Sequence, residues 1–197
     1  MRLAHLLFMS GHQLFRHGVV DAEWHHVWAR MISRGQLEAY APFFRAPLYP
    51  WLLGLSYRLF GSGPWTGRLL SLLVSLVGVA AFHRLCLRWT GRQRALLISL
   101  AWALWGTAVF YSCELLITPL YTTLLILVML CVARREYAGS ALLLGLASIA
   151  RPSALLLAPM LPLFHGRLPG LRELVAFLLP ICVVFSFNAL AGDPGTL

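Results

Sequence analysis

Lysine is absent from this sequence, asparagine occurs once, and charged residues of all types make up only 12% of the chain. A water-soluble globular domain carries about twice that share of charge. The composition therefore excludes an ordinary soluble enzyme or soluble binding module. All sixteen basic residues are arginine, which is typical of a GC-rich coding bias and does not by itself indicate a chemistry.

The scarcity of charge leaves room for long apolar blocks, and hydrophobic residues reach 59% of the chain. Apolar blocks of this length need lipid to cover them, and a helix that crosses a bilayer satisfies its own backbone hydrogen bonds. We therefore predict an all-α fold: a polytopic bundle of transmembrane helices that forms one integral-membrane domain over residues 1–197.

The few charges are unbalanced, with a net charge of +9. The arginines are scattered between apolar blocks and form no continuous basic face, so nucleic acid is not an expected partner. Membrane lipids with anionic headgroups, or a phosphate-bearing lipid, fit this pattern better.

The four cysteines stand singly, and no CxxC or other metal-ligand spacing occurs. We expect small buried hydrophobic side chains at these positions and no metal site. The cysteines are Cys86, Cys113, Cys131 and Cys182.

Five long apolar segments are separated by short stretches that contain arginine. A membrane-crossing helix needs roughly 20 residues, and four segments approach or exceed that length without an internal break. The fifth, 138–164, contains Arg151 and Pro152 at its middle, where a proline interrupts the helix and a charge is costly in lipid. It predicts two short helices that meet at a turn. The uninterrupted segments are 65–89, 95–112, 115–133 and 173–190.

The amino-terminal run MRLAHLLFM is too short to cross a bilayer. It predicts either an interfacial anchor or the last part of a first transmembrane helix.

Three arginine-containing turns lie on the cytoplasmic side by the positive-inside rule. The opposite, outer side then holds Glu114, Arg151 and an external segment, 11–64, with juxtamembrane helices. The outer side also carries more arginines than the rule leads one to expect, which favours an anionic ligand there. These arginines are Arg16, Arg30, Arg34, Arg45, Arg58 and Arg68.

The most polar stretch is VVDAEWHHVWARMISRG, residues 19–35. As a helix from Asp21 it is amphipathic, short and rich in tryptophan, which predicts a helix lying in the membrane interface. Asp21 is either the N-cap of this helix or a general base at the mouth of a membrane cavity. The predicted apolar face contains Trp24, Val27, Trp28, Met31 and Ile32, and the polar face contains His26, Arg30, Ser33 and Arg34.

Several segments, in this order, resemble a known family. They are DAEWHHVWARMISRG, FFRAPLYPWLLGLSYRLFG, WTGRLLSLL, FYSCELLITPL and LLLGLASIARPSALLLAPML. Together they resemble the polytopic glycosyltransferases of the dolichyl-phosphate-mannose protein mannosyltransferase superfamily, with the GT-C fold of family 39 type, which includes bacterial lipid A aminoarabinose transferases. The resemblance implies transfer of a sugar from a polyprenyl-phosphate donor to a lipid, glycan or protein acceptor. The site would face outward, or the periplasm, from a multi-pass protein of the cytoplasmic membrane.

The resemblance also implies roles for individual residues. Asp21 matches the family's proposed catalytic aspartate in the first external loop. Arg45, just before a proline-leucine motif, matches a contact to the carrier phosphate, although snorkelling to headgroups is an alternative. Arg151 matches the basic residue that ends a short helix. Glu23 and His26 are further candidates for substrate binding.

The chain departs from the family pattern at the second acid, which usually precedes the proline where this chain has Thr118 before Pro119. Glu114 lies four residues earlier, one helical turn away, so we expect it to supply that acid. Family members also have more spans, and the resemblance therefore implies that this chain is a fragment, the amino-terminal part of a GT-C transmembrane domain.

No cofactor is expected, and a divalent cation between Asp21 and the donor phosphate is the alternative. Two other functions remain open. Broken apolar helices with intramembrane charge also occur in transporters and flippases, although no inverted repeat is visible here. A non-catalytic membrane fragment is the third possibility.

Overall fold

The computed structural model describes residues 1–12, 15, 20–37 and 42–191. Most of these residues are helical and none is in a β-strand, so the predicted all-α helical bundle is confirmed. Residues 13–14, 16–19, which include Arg16, 38–41 and 192–197 lie outside the described residues. The α-helices are α1 (Arg2–Met9), α2 (Asp21–Ser33), α3 (Leu48–Phe60), α4 (Pro64–Thr90), α5 (Arg92–Leu104), α6 (Gly106–Tyr111), α7 (Thr118–Arg134), α8 (Tyr137–Ala150), α9 (Met160–His165) and α10 (Leu171–Ala191).

Two helices of the described chain are long and apolar enough to cross a membrane: α4, and α10 over Leu171–Leu190. The apolar helices α7 and α8 are shorter. Helix α10 contacts α8 extensively, yet most of its surface is uncovered by the rest of the chain. Its apolar exterior therefore needs lipid or another protein surface to cover it.

The helical path is interrupted at Arg151 and Pro152, where the sequence predicts a turn. Helix α8 ends at Ala150, and Arg151 is extended, with φ −150° and ψ 114°. A residue before proline is disfavoured in the helical region, which explains the position of the break. A 3₁₀-helix, Pro152–Leu157, follows and leads into α9.

Two helix predictions are wrong in detail. The segment 95–112 forms two helices, α5 and α6, because Trp105 is extended at ψ 121° and the following glycine is a weak helix former. Helix α7 begins at Thr118, so Glu114 lies in the turn before it. Glu114 is therefore not one helical turn from Thr118 on a shared helix face.

Small residues set the closest helix contacts. A side chain at Gly78 of α4 would collide with Thr123 of α7, and one at Gly145 of α8 would collide with the backbone of Phe177 in α10. Helices without side chains at the crossing point approach closely, which is the usual packing device inside membranes. In both helix pairs the chain runs in the same direction.

The bundle has two chemically different ends. Near one end, Arg88 donates to the carbonyl of Ala133, and Ser140 bonds His165 at 3.0 Å. These contacts hold the three arginine-containing turns close together at this end of the bundle. At the opposite end, which we call the site end, the first turns of α4 and α7 meet the last turns of α8 and α10. Helices α2 and α3 pack together there.

Candidate active site

Asp21 and Arg45 form an ion pair at the site end. Arg45 Nη1 donates to Asp21 Oδ1 at 2.7 Å, and the side chains are 44% and 54% exposed. The guanidinium group also lies over the ring of Trp24, 4.7 Å from its centroid. An exposed ion pair adds little stability, so this arrangement is better suited to presenting charge than to holding the fold together.

The position of Asp21 follows from the start of α2. The N-cap residue is Val20, and no side chain caps the helix. Asp21 is thus the first helical residue, and the N-cap interpretation is wrong. Its carboxylate instead reaches across to Arg45, which lies in the loop that leads into α3. A carboxylate in the first helical turn is also favoured by the helix dipole.

An apolar cavity of about 170 Å³ opens beside Arg45. Its walls come from the loop before α3, the end of α8, the 3₁₀-helix and the last turns of α10. Arg45 is the one predicted site residue that lines it among the described residues, and the lining is otherwise almost wholly apolar. The apolar lining includes Pro47, Pro152, Ile181 and Phe185. The cavity thus combines a guanidinium group with a surface suited to hydrocarbon.

The loop that carries Arg45 is held by a residue that the sequence did not single out for this role. The backbone N–H of Phe43 donates to Asn188 Oδ1 in α10 at 2.7 Å. The Phe43 ring also packs against Trp51 and Phe187, with centroid distances of 5.7 and 6.1 Å. Asn188, the only asparagine in the sequence, lies within α10 and fixes the loop.

We expect Asn188→Leu to weaken binding of the polyprenyl-phosphate donor that the resemblance implies, because it removes the acceptor for Phe43 N–H and lets the Arg45 loop shift. One hydrogen bond contributes about 0.5–1.5 kcal/mol, which corresponds to a KM for the donor raised about twofold to tenfold. Donor titrations at constant acceptor measure this value. Asn188→Asp keeps an acceptor oxygen and should stay near the wild-type KM; equal KM values for all three proteins would contradict the positioning role.

Arg151 lies at the site end but is not paired with Asp21 or Arg45. Its guanidinium group lies over the ring of Tyr121, 5.7 Å from the centroid, and its side chain is exposed. The following residue, Pro152, lines the Arg45 cavity. The structure therefore brings Arg151 to the same end as the ion pair without placing it in the cavity.

Glu114 is separate from Asp21 and pairs with Arg68. Arg68 Nη1 lies 3.2 Å from Glu114 Oε2, and the side chains are only 2% and 15% exposed. The guanidinium group also donates to the carbonyl of Cys113 at 2.8 Å. The sequence marks Arg68 only as an outer arginine, and no local pattern indicates this buried pair. Its partners make it an anchor between α4 and the turn before α7.

Glu23 is exposed on α2, and His26 packs against Tyr57 of α3. His26 Nδ1 and the Tyr57 hydroxyl form a hydrogen bond of 2.8 Å. Burial lowers the pKa of His26, with Glu23 opposing and Arg30 adding to the effect. The substrate-binding roles of Glu23 and His26 therefore remain predictions.

The buried face of α2 is rotated from the predicted one. Val27 is 38% exposed, whereas His25 is buried at 6%. The reason is that α3 packs closely on α2 at Gly54, where a side chain would collide with Ile32. Residues Ala22, His25, Trp28, Ala29 and Ile32 form the buried face.

His25 lies one turn after Asp21 and packs edge-on against Tyr49, with ring centroids 5.1 Å apart. Burial lowers the pKa of His25 to about 4, although the Asp21 carboxylate opposes the shift. The imidazole is therefore neutral at neutral pH. It therefore supplies no positive charge to the ion pair.

No group of three or more histidine, cysteine, aspartate or glutamate side chains that could hold a metal ion occurs in the part of the chain that the structure describes. Asp21 instead has a guanidinium partner.

A model of the protein family described as dolichyl-phosphate-mannose-protein mannosyltransferase matches residues 44–187, which is most of the sequence. The matched range includes Arg45, Glu114 and Arg151 and ends just before Asn188. Asp21, Glu23 and His26 precede it. No curated protein and no solved structure matches the chain.

Proposed function

The chain belongs to the dolichyl-phosphate-mannose-protein mannosyltransferase family, and from this premise we propose that its site end transfers a sugar from a polyprenyl-phosphate donor to an acceptor hydroxyl group. At the level of the family, the protein is a membrane glycosyltransferase. The observation that carries the specific assignment is the Asp21–Arg45 ion pair beside an apolar cavity.

The donor has two chemically distinct parts, and the site offers a partner for each. The isoprenoid chain fits the apolar walls formed by α8, the 3₁₀-helix and α10. The phosphate fits Arg45, because a guanidinium group has five N–H donors and only Nη1 is engaged with Asp21. Contact with Trp24 holds the plane of this group in place. Arg45 can thus bind phosphate while remaining beside the carboxylate.

Asp21 is the proposed general base. The acceptor hydroxyl oxygen attacks the anomeric carbon, and a new C–O bond forms. The bond between that carbon and the phosphate oxygen breaks, and the polyprenyl phosphate leaves with the electron pair. The Asp21 carboxylate takes the acceptor proton, while Arg45 stabilises the charge that develops on the leaving phosphate.

Arg151 is the proposed second cation for the phosphate. It lies at the site end beside the cavity-lining Pro152, and its exposed side chain rests on Tyr121. A modest rotation of this long side chain would bring a second positive charge toward the donor. For Glu114, by contrast, the buried pair with Arg68 supports a structural role more than a catalytic one.

The proposed membrane orientation places the site end on the outer or periplasmic face of the cytoplasmic membrane. It follows from the positive-inside rule, and it is supported by the grouping of the three arginine-containing turns at the opposite end of the bundle. In this orientation α2 lies in the outer interface, where tryptophan side chains are favoured.

We expect Arg45→Ala to lower kcat/KM for the donor about tenfold to hundredfold, because a charge-assisted hydrogen bond to phosphate contributes about 1.5–3 kcal/mol. The kcat/KM of Arg45→Lys should lie between those of the wild type and Arg45→Ala, since lysine keeps the charge and loses the planar guanidinium group. The measurement is transfer of radiolabelled sugar from polyprenyl phosphate in membranes that contain the protein.

The matched control is Arg58→Ala. Arg58 is also an exposed arginine, in the last turn of α3, and it does not line the cavity. Its loss should leave kcat/KM unchanged. If the Arg45 and Arg58 variants behaved alike, Arg45 would not bind the donor phosphate.

A further inference from the structure

A second cavity, of about 220 Å³, opens among α1, α4, α5, α6 and α7. It is lined by none of the predicted site residues and shares no described residue with the Arg45 cavity. The proposed sugar-transfer mechanism does not use it.

Arg2 of α1 lies in the wall of this cavity and is 94% buried, with a relative exposure of 6%. Its Nε donates weakly to the carbonyl of Ala103 at 3.4 Å, and its guanidinium group lies 5.7 Å from the ring centroid of Trp102. Its Nη2 has no hydrogen-bond partner among the described residues. Arg2 thus retains unused donor capacity inside a cavity.

A buried guanidinium group needs a compensating negative charge, because removing a cation from water is costly. In the described ranges, every ion pair involves other residues, and none involves Arg2. The thiol of Cys113 and the backbone carbonyls nearby do not supply a full negative charge. An anionic ligand would supply that charge.

The rest of the lining indicates what the anion is attached to. Hydroxyl side chains from α4, α6 and α7 face the same space, among them Ser75, Thr107, Tyr111 and Thr122. Hydroxyl groups both donate and accept hydrogen bonds, so they suit a ligand that carries hydroxyl and ester oxygens.

The cavity lies on the side of the bundle that lipid can reach. It borders α4, one of the two candidate spans of the described chain, and Trp105 at its rim is 60% exposed. Tryptophan is enriched where a bilayer meets water. A ligand would therefore enter from the membrane and not from the protein interior.

We propose that this cavity binds the headgroup of an acidic glycerophospholipid, with the phosphate on Arg2 and the glycerol oxygens on the surrounding hydroxyl groups. The site is independent of the Asp21–Arg45 pair. Its occupancy would hold α1 against α5 and α6 by neutralising the buried guanidinium group.

The test uses the full chain in nanodiscs of phosphatidylcholine, with phosphatidylglycerol added in increasing amounts. Native mass spectrometry gives the bound phosphatidylglycerol per protein, and thermal unfolding gives Tm. We expect the wild type to retain phosphatidylglycerol and to gain Tm. Arg2→Met should weaken the apparent affinity about tenfold or more, because a charge-assisted contact is lost.

Three further proteins separate the charge from the fold. Arg2→Lys should bind within a few-fold of the wild type, and Thr122→Val should weaken binding without removing a charge. Arg92→Met, which removes an exposed arginine at the opposite end, should change nothing. If Arg2→Met fails to fold, the Lys and Thr122 variants still test the site.

Two outcomes would overturn the proposal. The wild type could show no preference for phosphatidylglycerol over phosphatidylcholine. Alternatively, inorganic phosphate alone could reproduce the full Tm increase and displace the lipid, in which case the cavity binds a free phosphate ion. Neither readout requires sugar transfer, so failure here would leave the Arg45 and Asp21 predictions unaffected.

Discussion

Asp21→Asn should reduce the rate of sugar transfer at least about a hundredfold, since a positioned general base contributes about 10²–10⁴-fold. Asparagine has nearly the same shape and can still accept the hydrogen bond from Arg45, which lies at 2.7 Å in the wild type. The side chain would lose only its ability to take the acceptor proton. We therefore expect kcat to fall while binding of the donor stays within a few-fold of the wild type.

Single-turnover transfer of labelled sugar, measured beside equilibrium binding of the donor, separates these two quantities. Glu136→Gln is the matched control, because Glu136 is an exposed acid paired with Arg134 at 3.7 Å near the opposite end of the bundle. It should transfer sugar at the wild-type rate. Normal kcat in the Asp21→Asn protein would exclude Asp21 as the base, and a large loss of donor binding would indicate a charge-positioning role instead.

The helical architecture could be predicted from the sequence because it depends on local patterns. Apolar length identifies α4 and α10, and the steric effect of Pro152 on Arg151 identifies the break after α8. The amphipathic pattern predicted that α2 starts at Asp21, although Asp21 is its first helical residue and not its N-cap. Family membership followed from the order of the segments, and the family match confirms it.

Contacts between distant segments could not be predicted in the same way. The hydrogen bond from Phe43 to Asn188 joins residues 145 positions apart, and no local pattern marks it. The buried face of α2 depends on the absence of a side chain at Gly54 of another helix. The ion pair of Asp21 with Arg45 is an intermediate case. Both residues were expected at one end, but no local pattern predicts their direct contact.

Glu114 shows why a position in a motif does not settle a role. The sequence places it near the family's second acid, which predicts catalysis. The structure places its carboxylate 3.2 Å from the buried Arg68 guanidinium group. Removing the partner of a buried cation destabilises the folded protein, typically by about 3–5 kcal/mol. The two interpretations therefore predict different consequences for the same substitution.

On the structural interpretation, Glu114→Gln lowers the free energy of unfolding by about 3 kcal/mol, the lower end of the usual range for a broken buried pair. The loss is at the lower end because Arg68 keeps its bond to the carbonyl of Cys113. The activity of each molecule that remains folded should stay close to wild type. Denaturant unfolding in detergent micelles gives the stability, and transfer per folded molecule gives the activity.

The double variant Arg68→Gln/Glu114→Gln should recover part of the lost stability, because no buried charge is left without a partner. If Glu114→Gln were as stable as the wild type and transferred sugar at least about a hundredfold more slowly, the carboxylate would be the second catalytic acid, and the pair with Arg68 would serve to orient it.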